Sequence, residues 1–314
     1  MRSIVVEIPT FVGMTTFFVI PEDTGNLDST VIPAKAGICN IKWEIMSIKK
    51  NKFTVLDFKR KKENSQKITM LTAYDCTMAR ILDSGYIDAI LVGDSLGMVV
   101  LGYESTIPVT MEEMLHHTKA VRRGVERAFL IADMPFMSYQ ASDDDAVRNA
   151  AKFVKEAGAE AVKLEGGTKI VPRIKAILDI GIPVLGHIGL TPQSINKLGG
   201  YKVQGRSAGS GEELLKSALS LEKAGVFAVV LECVPKDLAR TITKTLTIPT
   251  IGIGAGKNCG GQILVTHDVV GYFDKFKPKF VKQYAQINTA ITEAVNSFKR
   301  EVETGIFPDD EHSF

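Results

Sequence analysis

A single-domain α/β fold, the (β/α)8 barrel of the TIM type, is the class this sequence predicts, and three observations carry the prediction. Eight short apolar runs recur from Ile68 onward, amphipathic stretches separate most of them, and polar residues collect where the runs end. Near-continuous apolar strands alternating with helices require a parallel sheet covered by helices. Eight repeats favour closure into a barrel over an open doubly wound sheet, the runner-up. Either architecture gathers its chemistry at the carboxyl ends of the strands.

In chain order the runs are ITMLTAY from Ile68, AILVGD from Ala89, FLIADMP from Phe129, AVKLEGG from Ala161, IPVLGHIG from Ile182, AVVLECVP from Ala228, IPTIGIGAG from Ile248 and QILVTHD from Gln262. Helical spacing of apolar residues falls over 77–84, 111–123, 143–157, 169–178, 211–224 and 236–245, with a closing helix over 281–303. The long glycine-rich connection after the fifth run, LTPQSINKLGGYKVQGRSAGSG, reads as a loop over a functional face. GIGAGKNCGG, from Gly252, has neither the P-loop nor the dinucleotide spacing and reads as a tight βα turn. Residues 1–45 sustain no period of 3.6 or 2.0, and Val19-Ile20-Pro21 recurs as Val31-Ile32-Pro33. They are expected to be a poorly packed upstream extension, absent from the native chain if Met46 opens the domain that runs to Phe314.

A chain of 314 residues that is 45% hydrophobic can bury a full core. Its formal net charge of +2 leaves no basic excess for a phosphate backbone, so nucleic acid is not an expected partner. The clusters 49–52 and 59–62 read as solvated surface, and His116 and His117 as surface or interface residues. Four cysteines, at 39, 76, 233 and 259, form no zinc or disulfide spacing, which fits a reducing cytoplasm. No apolar run is long enough for a membrane span, and Glu7, Pro9 and Pro21 break the opening apolar stretch, against a signal peptide.

The strand ends carry Asp94 and Ser95, Asp133, Lys163 with Glu165, His187, and Glu232. Side chains alternate along a strand, so Lys163 and Glu165 share one face and Val162 and Leu164 the other, while Val230 and Glu232 pair in the same way. Acidic groups converging in one mouth repel unless a cation neutralises them. Carboxylates with no cysteine and one histidine suit Mg2+ better than zinc. Asp94 and Asp133 are the best direct ligands; Glu165 either binds directly or holds a metal-bound water. Simpler readings stand beside these: Asp133 as a helix cap, His187 as a core histidine, Lys163 as the structural partner of Glu165. Glu232, after three apolar residues, has the partly buried setting of a general base.

The motifs TAYD (72–75), VGDSLGM (92–98), STIPVT (105–110), HTKAVRRG (117–124), ADMPFMSY (132–139), KLEGG (163–167), GHIGLTPQS (186–194), GGYKVQGR (199–206), LECVP (231–235), IGIGAG (251–256) and DEHSF (310–314) resemble the ketopantoate hydroxymethyltransferase family. The resemblance runs from about Met46 to Phe314 and departs at Tyr103-Glu104, where the family often has His-Asp. It implies a (β/α)8 barrel that transfers a one-carbon unit from 5,10-methylenetetrahydrofolate to 3-methyl-2-oxobutanoate, giving 2-dehydropantoate on the way to pantothenate and coenzyme A. It further implies Mg2+ on Asp94 and Asp133 with Glu165 completing the site, Ser95 and Lys163 on the keto acid, Glu232 as proton acceptor, and a homo-oligomer, typically a decamer. Asp94, Asp133 and His187 are carried as further substrate contacts. Two other chemistries remain open to these residues: a Schiff-base aldolase through Lys163, and a metal-dependent C–C lyase of the phosphoenolpyruvate mutase/isocitrate lyase type.

Overall fold

The computed structural model describes residues 3–9, 15–21 and 51–314. The chain divides into two compact units, Met1–Lys49 and Lys50–Phe314. In the first, Ser3–Pro9 and Thr15–Pro21 pair as an antiparallel hairpin, so regular structure occurs inside the segment whose sequence shows no period. Met46, the expected start of the domain, lies outside the described residues, as do Cys39 and the second Val-Ile-Pro triplet.

The second unit is the expected barrel. Its strands are β1 (Ile68–Thr72), β2 (Ala89–Val92), β3 (Phe129–Asp133), β4 (Ala161–Glu165), β5 (Val184–Gly189), β6 (Ala228–Glu232), β7 (Thr250–Ile253) and β8 (Gly261–Leu264). All pair in parallel with their sequence neighbours, and β8 returns to β1 to close the ring. Alternation along each strand divides the core in two. Ala89, Leu91, Phe129, Ile131, Ala161, Leu185, Ala228 and Val230 fill the interior. Ile90, Val92, Leu130, Ala132, Val162, Leu164, Val229 and Leu231 pack outward under the helices. Lys163 and Glu165 share the parity of Ala161, and Glu232 that of Val230, so all three belong to the interior face.

The helices follow the expected pattern with shifts of a few residues: Cys76–Ser84, Met111–Arg122, Asp143–Lys155, Val171–Asp179, Ala208–Ala224 and Lys236–Thr245. Three differences matter. Val55–Glu63 is a helix, started by a capping box between Thr54 and Asp57. Its Phe58 is fully buried, with ring centroids 5.6 Å from Phe129 and 4.8 Å from Phe227, plugging the amino-terminal end of the barrel. The basic cluster on it is therefore not merely solvated: Lys61 Nζ lies 2.6 Å from Asp88, and Lys62 Nζ donates to the Thr243 carbonyl at 2.7 Å. Lys52 likewise pairs with Glu160 at 2.6 Å. Secondly, GIGAGKNCGG joins β7 directly to β8 with no helix between them; Gly254 and Gly256 take φ of +64° and +84° to make the reversal. Thirdly, the closing helix spans Ile287–Glu303, because the backbone before it is diverted: Tyr284 and Ile287 donate to the carbonyls of Val269 and Val270. Among the described residues no helix is long and apolar enough to cross a membrane.

Candidate active site

Strands β2, β3, β4, β5 and β6 deliver Asp94, Asp133, Lys163 with Glu165, His187 and Glu232 to one cavity of about 350 Å3 at the carboxyl end of the barrel. Asp94 stands two residues past β2, where the chain turns at Gly93 into the short helix Leu96–Val99. A side chain at Gly93 would bring its Cβ within 2.8 Å of Ser95 Oγ, so glycine leaves room for the serine hydroxyl. Asp133 closes β3 and Glu165 closes β4, adjacent in the sheet, so their carboxylates converge.

Carboxylate oxygens of Asp94, Asp133 and Glu165 lie within 4.8 Å of one another, and all three residues are buried. Lys163 Nζ sits 2.7 Å from both oxygens of Asp133 and 3.3 Å from Glu165 Oε1. The ring nitrogens of His187 lie 3.4 Å from Glu165 Oε1 and 3.3 Å from Glu232 Oε2. These distances permit charge pairing, but neither nitrogen is aligned for a hydrogen bond. Glu232 is the least enclosed of the carboxylates, with 16% of its side chain exposed.

The electrostatics follow from this crowding. Burial, reinforced by Asp133 and Glu165, holds the Asp94 carboxyl well above the usual range. Burial also raises Asp133, against the opposing pull of Lys163. Glu165 goes the other way: burial alone would raise it, but Lys163 and then His187 bring it down to about 2. Burial lowers Lys163, yet Asp133 and Glu165 outweigh it and hold the ammonium form. His187 is pushed down by burial and by Lys163, and its carboxylate neighbours Glu165 and Glu232 lift it to about 9.

Two residues that the sequence did not single out complete the cluster. Gln193, in the turn after β5, donates from Nε2 to Asp94 Oδ2 and to the Met134 carbonyl, both at 2.9 Å, while its backbone N–H reaches Glu165 Oε2 at 3.1 Å. The Tyr139 hydroxyl donates to Gln193 Oε1 at 2.8 Å, which fixes the orientation of the amide. Nearby, Ser95 Oγ lies 2.8 Å from the Tyr74 hydroxyl, and His117 Nδ1 lies 2.6 Å from the Tyr74 carbonyl. His117 is thus half-buried behind the site, whereas His116 is exposed as expected.

In this cluster the four carboxylates of Asp94, Asp133, Glu165 and Glu232 surround Lys163 and His187. The donor set is oxygen-rich, lacks sulfur and brings three ligands within reach of one point, which fits a hard divalent cation. A closed parallel barrel with such a mouth defines a barrel enzyme whose site can hold a metal ion among carboxylates.

The chain belongs to the ketopantoate hydroxymethyltransferase family, whose model matches residues 52–310. It is 56% identical over 263 residues to the 3-methyl-2-oxobutanoate hydroxymethyltransferase of Heliobacterium modesticaldum, covering 84% of this chain and 95% of the relative. To the enzyme of that name from Moorella thermoacetica it is 57% identical over 265 residues, covering 84% and 98%. Among solved structures, a phosphonopyruvate hydrolase in complex with oxalate and Mg++ superposes with a TM-score of 0.55 at 14% identity, covering 82% of this chain and 92% of that one. A 2,3-dimethylmalate lyase of the PEP mutase/isocitrate lyase superfamily gives 0.52 at 16%, covering 83% and 91%. These two share the fold.

Proposed function

We propose that the chain transfers a hydroxymethyl group from 5,10-methylenetetrahydrofolate to 3-methyl-2-oxobutanoate, giving 2-dehydropantoate and tetrahydrofolate, with water supplying the hydroxyl. The observation that carries this reading is the meeting of three buried carboxylates within 4.8 Å beside a buried lysine. Asp94, Asp133 and Glu165 hold Mg2+, which when bound lowers the free energy of negative charge developing on the 2-oxo oxygen. Lys163 supplies positive charge to the substrate carboxylate. Ser95, oriented by Tyr74, offers a hydroxyl to the keto acid. Glu232, less enclosed than the other acids, takes the C3 proton, and His187 beside it steadies that carboxylate and meets the substrate.

The ion pairs of Lys163 weigh against a Schiff base there, because an amine held as ammonium is no nucleophile. Assembly into a homo-oligomer, a decamer on the family resemblance, is supported by the closing helix, which leaves Ile291, Val295, Phe298 and Val302 exposed.

The test omits folate. In D2O with Mg2+, the protein exchanges the C3 proton of 3-methyl-2-oxobutanoate, EDTA stops the exchange, and Glu232→Gln reduces it at least about 100-fold while retaining Mg2+ binding. Full exchange in that variant would remove Glu232 from its role.

A further inference from the structure

Opposite the acid cluster, the cavity carries a carboxylate that the chemistry above does not use. In an eight-stranded ring β8 faces β4, and four residues past the end of β8 stands Asp268. It lines the same cavity as Asp94, Lys163 and Glu232. Around it the wall is largely apolar and partly aromatic, formed by Leu264, Val265, Phe273, Phe276, Pro278 and Phe280, with the exposed Lys279 as its one cationic side chain among the described residues. The Asp268 carboxylate accepts no hydrogen bond and joins no ion pair among the described residues; beside it Thr266 N–H and Oγ1 both bond to Thr72, whereas the buried Nδ1 of His267 also lacks a partner. Burial pushes its pKa up to about 6.

A half-buried carboxylate without donors is an unfavourable arrangement unless a ligand supplies them. The two proposed substrates differ sharply in what they offer. The keto acid is an anion that presents acceptors, and it has no N–H to give. The reduced pterin of the folate presents a 2-amino group beside the ring N3–H, two parallel donors spaced like those of a guanidinium edge. Two parallel donors match the two oxygens of a carboxylate. The flat ring behind that edge suits the Phe273, Phe276 and Phe280 wall, with polar groups at one end and aromatic surface along its length.

We infer that Asp268 is the pterin-recognition residue, accepting from the 2-amino and N3–H groups of the folate and anchoring the pterin edge on the wall opposite the keto-acid side, so that the methylene carbon points toward the keto acid. The assignment rests on the proposed function for the identity of the one-carbon donor. It requires no new covalent step. It also explains why one cavity carries acids on opposite walls: the β2–β4 acids face a cation, and Asp268 faces neutral N–H donors.

The experiment compares wild type with Asp268→Asn and Asp268→Ala by titrating tetrahydrofolate directly, with 2-desamino-tetrahydrofolate as the second probe, and by the folate-free C3 exchange. Expected are a 10- to 100-fold weaker tetrahydrofolate affinity in both variants, the loss of a charge-assisted pair, with exchange within about twofold of wild type. Wild type should lose about as much on the 2-desamino probe, and Asp268→Ala should no longer distinguish the two probes. Tetrahydrofolate binding within threefold of wild type in both variants overturns the inference, as does an equal loss of exchange and folate binding. Were wild type itself to show no C3 exchange, the proposed function would fail while the titration still decided the role of Asp268.

Discussion

Replacing Gln193 with leucine tests how the acid cluster is held together. The substitution keeps most of the side-chain volume and removes every polar atom beyond Cβ. In wild type the Gln193 amide is the side-chain donor to Asp94, at 2.9 Å, whereas Lys163 is committed to Asp133 and Glu165. Leucine therefore frees Asp94 to turn, while the backbone N–H of residue 193 still holds Glu165. Removing an outer-shell partner of a metal ligand typically weakens metal affinity about 10- to 100-fold. The Met134 carbonyl also loses its donor, which adds about 1–3 kcal/mol of destabilisation. Calorimetric titration of Mg2+ in the presence of 3-methyl-2-oxobutanoate reads the first effect, and urea unfolding without Mg2+ reads the second. Mg2+ affinity within twofold of wild type would refute the claim that Gln193 orients Asp94.

Other variants separate charge from packing. Lys163→Met leaves Asp133 and Glu165 buried without their cation, and the metal-free protein should lose about 3–5 kcal/mol of stability; Mg2+ should restore part of it, and an unchanged urea midpoint would contradict the ion-pair reading. Asp94→Asn removes one of three crowded carboxylates and should raise the melting temperature without Mg2+ while diminishing the rise that Mg2+ produces; a lower metal-free melting temperature would count against the crowding argument. Phe58→Ala opens the barrel floor and should cost about 3–5 kcal/mol with Mg2+ affinity unchanged; a comparable loss of Mg2+ affinity would show that floor and mouth are coupled.

The barrel and its charged mouth were legible because strands write their geometry into sequence with a period of two. Alternation alone puts Lys163, Glu165 and Glu232 inside, and the strand-end positions of Asp94 and Asp133 do the rest. Gln193 and Tyr139 were not legible. Both are uncharged and sit in connections, Tyr139 after β3 and Gln193 in the turn after β5, and they meet only because the two connections fold over the same strand ends; the sequence signals were the length of the second connection and the motifs ADMPFMSY and GHIGLTPQS in which the two residues lie. The floor helix was obscured for the opposite reason. Its run of lysine and arginine masks Phe53 and Phe58, and only the fold shows that Lys61 and Lys62 have partners inside it. The directly joined β7 and β8 escaped because glycine-rich sequence announces a reversal without saying whether a helix follows it.

The two ends of the barrel divide stability from chemistry, and the division explains how an acid-crowded mouth can be tolerated. At the floor the buried carboxylates meet donors: Asp83 accepts from the backbone N–H groups of Glu126, Arg127 and Ala128, Asp88 from Thr69 and Lys61, and Asp57 from Thr54. Phe53, Phe58, Phe129 and Phe227 pack edge to face across the same end. At the mouth the carboxylates face one another and too few cations, an arrangement that a fold tolerates only when binding offsets it. Because Phe58 and Asp94 lie at opposite ends of the barrel and no hydrogen bond or ion pair among the described residues joins them, their perturbations should add: the stability change of Phe58→Ala combined with Asp94→Asn should equal the sum of the two single changes to within about 0.5 kcal/mol. A larger interaction energy would mean that strain in the acid cluster travels down the strands, and the site would then be part of what holds the barrel in shape.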